Sequence, residues 1–152
     1  NADEQLVLSG EVAGIERAMV LARAAGAKRV MRLNVSGAFH SPLMEPAVAG
    51  LRTALDAAAW LESAFAVYSN VDARPNRSAA SARELLVRQL TSPVRWVELV
   101  RRLAADFPRG GFVELGPGNV LTGLIKRIVP GAETFACGTA TDATELLARI
   151  GE

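Results

Sequence analysis

The chain has 152 residues, half of them apolar, 22% charged and 5% aromatic, which is enough for one ordinary domain with a core. Seventeen basic and 16 acidic side chains leave a formal charge of +1, so no strong field of either sign recruits nucleic acid or an anionic membrane surface. The single cysteine, Cys137, excludes an internal disulfide, no apolar run approaches the ~20 residues of a bilayer span, and no leader pattern opens the chain, all of which points to a cytoplasmic protein.

Residues 6–8 read as a short buried strand that stops at Ser9-Gly10. From Glu11 the apolar period turns helical, with Val12, Ile15, Met19 and Ala22 on one face, and Gly26 suits the left-handed closing position. Residues 28–35 alternate and predict a second strand. Together these 35 residues look like half of a split βαβ unit, because two strands and one helix bury too little to stand alone. Ser41-Pro42 then predicts a helix through Leu43, Val48, Leu51 and Leu55 to about Trp60.

Residues 65–70 are a third expected strand, followed by a loop over 74–78. Ser81 and Glu84 stand in capping-box spacing ahead of Leu85, Leu86 and Leu90. Ser92-Pro93 repeats the serine-proline start for a helix using Val97, Val100, Leu103 and Ala104. Residues 112–115 form an expected strand that Gly116-Pro117-Gly118 breaks, and Asn119 is placed to cap a helix with Leu121, Leu124, Ile125 and Ile128. Residues 134–137 are the last strand, and Asp142 with Glu145 caps the closing helix. Strands alternating with helices make the chain α/β, with mostly parallel pairing in its second part. The pairs Arg101-Arg102 and Lys126-Arg127 fall inside amphipathic patterns and read as solvated helix faces.

His40 is the only histidine, so imidazole chemistry rests on it. It follows an expected strand and precedes a helix start, the junction where open α/β sheets bind ligands. A residue there also serves as an ordinary hydrogen-bonding group. A histidine base needs a nucleophile, and none of the eight serines has the Gly-x-Ser-x-Gly setting that presents a hydroxyl. Cys137 could pair with His40 in a thiol mechanism, but its apolar setting favours burial. Gly116-Pro117-Gly118-Asn119 could admit a phosphate, yet it lacks the Lys-Ser/Thr of a P-loop and reads better as a tight turn. No carboxylate pair or metal-ligand cluster has usable spacing.

The run from Gly26 to Met44, which includes Asn34-Val35-Ser36-Gly37-Ala38-Phe39-His40-Ser41-Pro42, resembles the acyltransferase family of fatty-acid and polyketide synthesis. Within it the similarity is to the malonyl-CoA:acyl-carrier-protein transacylases. Four more blocks agree in order and spacing: Asn1 with residues 7–10, residues 69–73, residues 86–96 and residues 114–124.

The resemblance implies a Ser-His dyad that moves a malonyl group from coenzyme A to the phosphopantetheine thiol of acyl carrier protein, with no metal or other cofactor. His40 matches the family's base, and the backbone carbonyl at Gln89 matches the group that orients it. Phe39 matches a pocket residue that accompanies malonyl over methylmalonyl selection, and Asn1 matches a residue near the substrate. The family's nucleophile elbow, oxyanion-hole glutamine and carboxylate-binding arginine precede the matched region. The resemblance therefore implies a C-terminal half that acts only with its N-terminal half. The fold it implies is half of a ferredoxin-like small subdomain over residues 1–35, then the rear part of an α/β-hydrolase-like large subdomain over residues 36–152. A polyketide-synthesis fragment, a non-catalytic carrier-protein-binding remnant and a Cys-His hydrolase are the alternatives.

Overall fold

The structure, a computed structural model, describes residues 1–150. Its described residues divide into two compact units, one of residues 7–95 and one that joins residues 1–6 to residues 96–150. Both mix helices with short β-pairs, so the α/β expectation holds.

In the first unit, helix α1 spans Val12–Ala24. Gly26 closes it at φ 90°, with Gly26 N–H donating to Arg23 O and Ala27 N–H to Ala22 O, the paired bonds of a Schellman motif. Ile15, Met19 and Ala22 are half-buried as expected, whereas Val12 is exposed.

The runs at residues 6–8 and 28–35 are not strands. Alternation records which side chains share a face, but a strand also needs a hydrogen-bonded neighbour, and among the described residues neither run has one. Met31, Leu33 and Val35 are consequently 55%, 49% and 62% exposed.

The Ser41-Pro42 signal starts a 3₁₀ turn, Pro42–Met44, which leads into helix α2, Glu45–Ala57. The helix stops short of Trp60, whose indole N–H donates instead to the Leu55 carbonyl at 2.7 Å. Strand β1, Val67–Tyr68, pairs antiparallel with β2, Pro75–Asn76, in the stretch expected to be loop. Helix α3, Ala79–Gln89, begins three residues earlier than the Ser81–Glu84 reading. Its cap is Ser78, which accepts from Ser81 N–H, while Glu84 is engaged by Arg52 of α2.

In the second unit, helix α4 spans Trp96–Asp106. It does not start at Ser92-Pro93: Ser92 lies in a bend with its amide on Arg88 O, and Arg95 N–H donates to Asn70 O within the first unit. Strands β3, Phe112–Leu115, and β4, Thr134–Cys137, fall on the expected residues and pair in parallel, joined through helix α5, Val120–Ile128. Helix α6, Ala140–Ile150, follows. Among the described residues, Leu99, Val100, Leu124, Ile125, Ile128 and Cys137 are this unit's buried apolar side chains.

The caps of the last two helices differ from expectation. Asn119 makes no side-chain cap bond. Glu114 on β3 does that job, accepting from Leu121 N–H, Thr122 N–H and the Thr122 hydroxyl at 3.0, 2.7 and 2.7 Å. On α6 the partner of Asp142 is Thr139, not Glu145: Asp142 accepts from the Gly138 and Thr139 amides, and Thr139 Oγ1 accepts from Asp142 N–H.

Candidate active site

The backbone of His40 has φ 60°, the left-handed region that costs a residue with a Cβ about 1–2 kcal/mol. The next residue holds it there. Ser41 is 5% exposed, and its hydroxyl donates to the Ala38 carbonyl at 2.6 Å while accepting from Leu43 N–H at 3.3 Å. Residues 38–43 therefore close around one buried oxygen, and the sharp corner turns the imidazole outward.

The ring meets the far end of α3. His40 Nδ1 lies 2.9 Å from the backbone carbonyl of Gln89, the last residue of that helix. The carbonyls of Val87 and Arg88 are taken by the amides of Leu90, Thr91 and Ser92, whereas that of Gln89 faces the histidine. A carbonyl oxygen can only accept, so this contact puts the ring proton on Nδ1 and leaves the Nε2 lone pair available as a base. The Gln89 side-chain amide also reaches Nδ1, with its Nε2 at 3.1 Å. An N–H cannot donate to a protonated Nδ1, so the amide orientation consistent with the carbonyl contact turns its oxygen to the ring. Gln89 then offers two acceptors to the single Nδ1–H. Nothing in residue spacing could have flagged the side chain, because 49 positions separate it from His40.

Phe39 is 46% exposed beside His40. A Cβ placed on Gly37 would lie 3.5 Å from two atoms of the Phe39 ring, so the ring packs over the glycine backbone. Met44 stands next to it, its sulfur 3.9 Å from the same point. Phe39 and Met44 thus form an apolar pair over Gly37, with Phe39 next to the base in sequence. Asn1 is exposed and belongs to the other compact unit. Cys137 is a free thiol but buried, which withholds it from a substrate.

The Gly116-Pro117-Gly118 corner turns on two positive-φ glycines, at 130° and 96°. Its helix N-terminus offers amides in the way a phosphate site does, but the Glu114 carboxylate occupies them. The Thr122 amide and hydroxyl, then the Leu121 amide, hold that carboxyl below the usual carboxylate range. A second anion here would meet a charge already in place, which supports the tight-turn reading. Among the described residues no group of three or more His, Cys, Asp or Glu side chains is arranged to hold a metal, and no helix is long and apolar enough to cross a membrane.

No protein-family model matches the chain. It is 43% identical over 136 residues to the malonyl CoA-acyl carrier protein transacylase of Bacillus subtilis, covering 90% of this chain and 43% of that protein. Against the enzyme of the same name from Haemophilus influenzae it is 44% identical over 131 residues, covering 85% and 41%. Its fold matches the solved acyl-carrier-protein S-malonyltransferase of Burkholderia pseudomallei at a TM-score of 0.85 and 37% identity, over 91% of this chain and 45% of the other. It also matches a malonyl-transacylase solved in complex with its type II polyketide-synthase acyl-carrier protein, at a TM-score of 0.85 and 40% identity, over 92% and 45%. Over nearly its whole length, the chain is similar to the malonyl CoA-acyl carrier protein transacylases, and it spans under half the length of the relatives it matches.

Proposed function

We propose that this chain is the C-terminal half of a cytoplasmic malonyl transacylase, in which His40 serves a serine contributed by the N-terminal half. The observation that carries the reading is the 2.9 Å contact between His40 Nδ1 and the Gln89 carbonyl, which leaves Nε2 as the free base. In the first half-reaction His40 Nε2 takes the serine proton as the hydroxyl oxygen attacks the malonyl thioester. The tetrahedral adduct expels coenzyme A, whose thiolate leaves with the proton from Nε2. In the second, Nε2 takes the proton of the carrier protein's phosphopantetheine thiol. The thiolate attacks the malonyl-serine ester, and the serine oxygen recovers the proton. A single imidazole thus acts twice as base and twice as acid, and the scheme requires no metal or other cofactor.

Gln89 orients the ring, and Phe39 limits bulk at the α-carbon of the acyl group. Asn1 is assigned a substrate contact in the complete enzyme. The fold assigned to that enzyme divides the chain into part of a ferredoxin-like small subdomain over residues 1–35 and part of an α/β-hydrolase-like large subdomain over residues 36–152. Fatty-acid synthesis is the pathway proposed, since the relatives of known organism are named for the general carrier-protein reaction.

The test joins this chain to an N-terminal half that bears the nucleophile elbow and follows malonyl transfer from malonyl-CoA to holo acyl carrier protein. Transfer is expected with His40 present and not with His40→Ala. Carrier-protein binding without transfer in the joined protein would instead identify a non-catalytic binding module.

A further inference from the structure

The His40–Gln89 contact joins residues 49 positions apart on different elements, so its length depends on how α2 and α3 lie along one another. A slip of 1 Å between the helices would stretch a 2.9 Å hydrogen bond beyond useful length. Apolar packing gives little protection against such a slip. No residue of α2 is buried, and Val87 is the one buried residue of α3. Burial of this kind is also non-directional and sets axial register poorly.

Polar cross-links run down the same seam in antiparallel order. Arg52 of α2 grips Glu84 of α3 with both arms, Nη1 to Oε1 at 2.7 Å and Nη2 to Oε2 at 3.2 Å. One residue earlier on α3, Arg83 donates to Asp56 at 3.4 Å, and its guanidinium lies 5.6 Å from the centre of the Trp60 ring. Beyond the end of α2, Glu62 accepts from the first amide of α3, that of Ala79, at 3.2 Å. His40 on Gln89 is the last rung of this ladder. A two-armed arginine–carboxylate pair fixes direction as well as distance, unlike a single ionic contact.

We propose that Arg52 and Glu84 are positioning residues for the transacylase reaction: their paired hydrogen bonds hold the register of α2 against α3 that keeps the His40 imidazole on the Gln89 carbonyl. The assignment rests on the catalytic role of His40 given under Proposed function. Neither residue touches substrate; they act through the imidazole. Their pair is half-exposed, so its influence is modest in size and expressed in kcat.

The test uses the complete transacylase with turnover normalised to the acyl-enzyme burst, which counts folded, competent sites. Arg52→Glu and Glu84→Arg are each expected to lower kcat about fivefold, with KM for malonyl-CoA unchanged. The double reversal Arg52→Glu/Glu84→Arg should recover to within about twofold of the parent. Arg52→Lys, which keeps the charge but loses the fork, should fall between. If a charge reversal fails to fold, Arg52→Gln and Glu84→Gln give the same reading with smaller change. Parent-like kcat in the single variants, or no recovery in the double, overturns the positioning role while leaving the dyad intact. Full transfer by His40→Ala would instead overturn the dyad, and the positioning role with it.

Discussion

Replacing His40 by alanine and, separately, by glycine tests the chemistry and the backbone of the corner at once. Both variants remove the imidazole, so both should lower malonyl transfer by the ~10²–10⁴-fold that a positioned acid–base group contributes. Their stabilities should differ. At φ 60° alanine retains the left-handed strain of about 1–2 kcal/mol, whereas glycine does not. Glycine's looser unfolded chain offsets about 0.4–1 kcal/mol of that gain. A net advantage of about 0.5–1 kcal/mol should remain for His40→Gly over His40→Ala. Both lose the same bond to Gln89, so that term cancels in the comparison. Urea unfolding of the two variants in the complete enzyme, with equal m-values, measures the difference directly. A glycine variant no more stable than the alanine variant would refute the strained-corner argument, and substantial transfer by either would refute the base assignment.

Phe39→Ser should raise kcat/KM for methylmalonyl-CoA relative to malonyl-CoA by roughly tenfold, the order expected for one methyl group in an apolar pocket; an unchanged ratio removes Phe39 from the acyl site. Glu114→Gln should destabilise the protein at neutral pH but not in acid. The folded-state carboxyl titrates lower than an unfolded one, so its contribution is complete above the ordinary carboxylate range of about 4.3 and disappears as pH falls through the lowered value. Melting curves of parent and variant should therefore converge once the pH has fallen below the lowered folded-state value, and a gap that persists there assigns Glu114 a packing role instead. The 152-residue chain by itself should show no malonyl transfer and should self-associate in sedimentation, because Met31, Leu33, Val35 and Phe65 expose apolar surface without partners. A compact monomer with a cooperative melt would contradict that expectation.

Elements whose signals are local were readable from the residues. Gly26 ends α1 because only its own backbone freedom is needed, and β3 and β4 end where Gly116 and Gly138 follow them. What failed depended on distant partners. Residues 28–35 alternate like a strand, but alternation does not supply a neighbour. Pro75 disguised β2, since proline weakens any strand assignment although an edge position tolerates it. Ser78 and Ser81 are equivalent as caps by type; Asn76 brackets Ser78, and Glu62 takes the Ala79 amide, which decides between them. At the site, His40 stood out as the sole histidine, and the Gln89 carbonyl was anticipated through family resemblance alone. The second point of contact from the Gln89 side chain, and the α2–α3 ladder behind it, are properties of folded register and have no signature in spacing.

The Glu114 latch also bears on how the β3–α5 corner comes apart. The first turn of a helix ordinarily frays, and its amides are among the first to trade hydrogen for deuterium from solvent. Here the Leu121 and Thr122 amides are pinned by a carboxylate anchored in the neighbouring strand, so they can open only when strand and helix part. The corner should therefore exchange with its sheet as one cooperative piece rather than unravel from the helix end. Acid would release the latch before the apolar core of Leu124, Ile125 and Ile128 gives way.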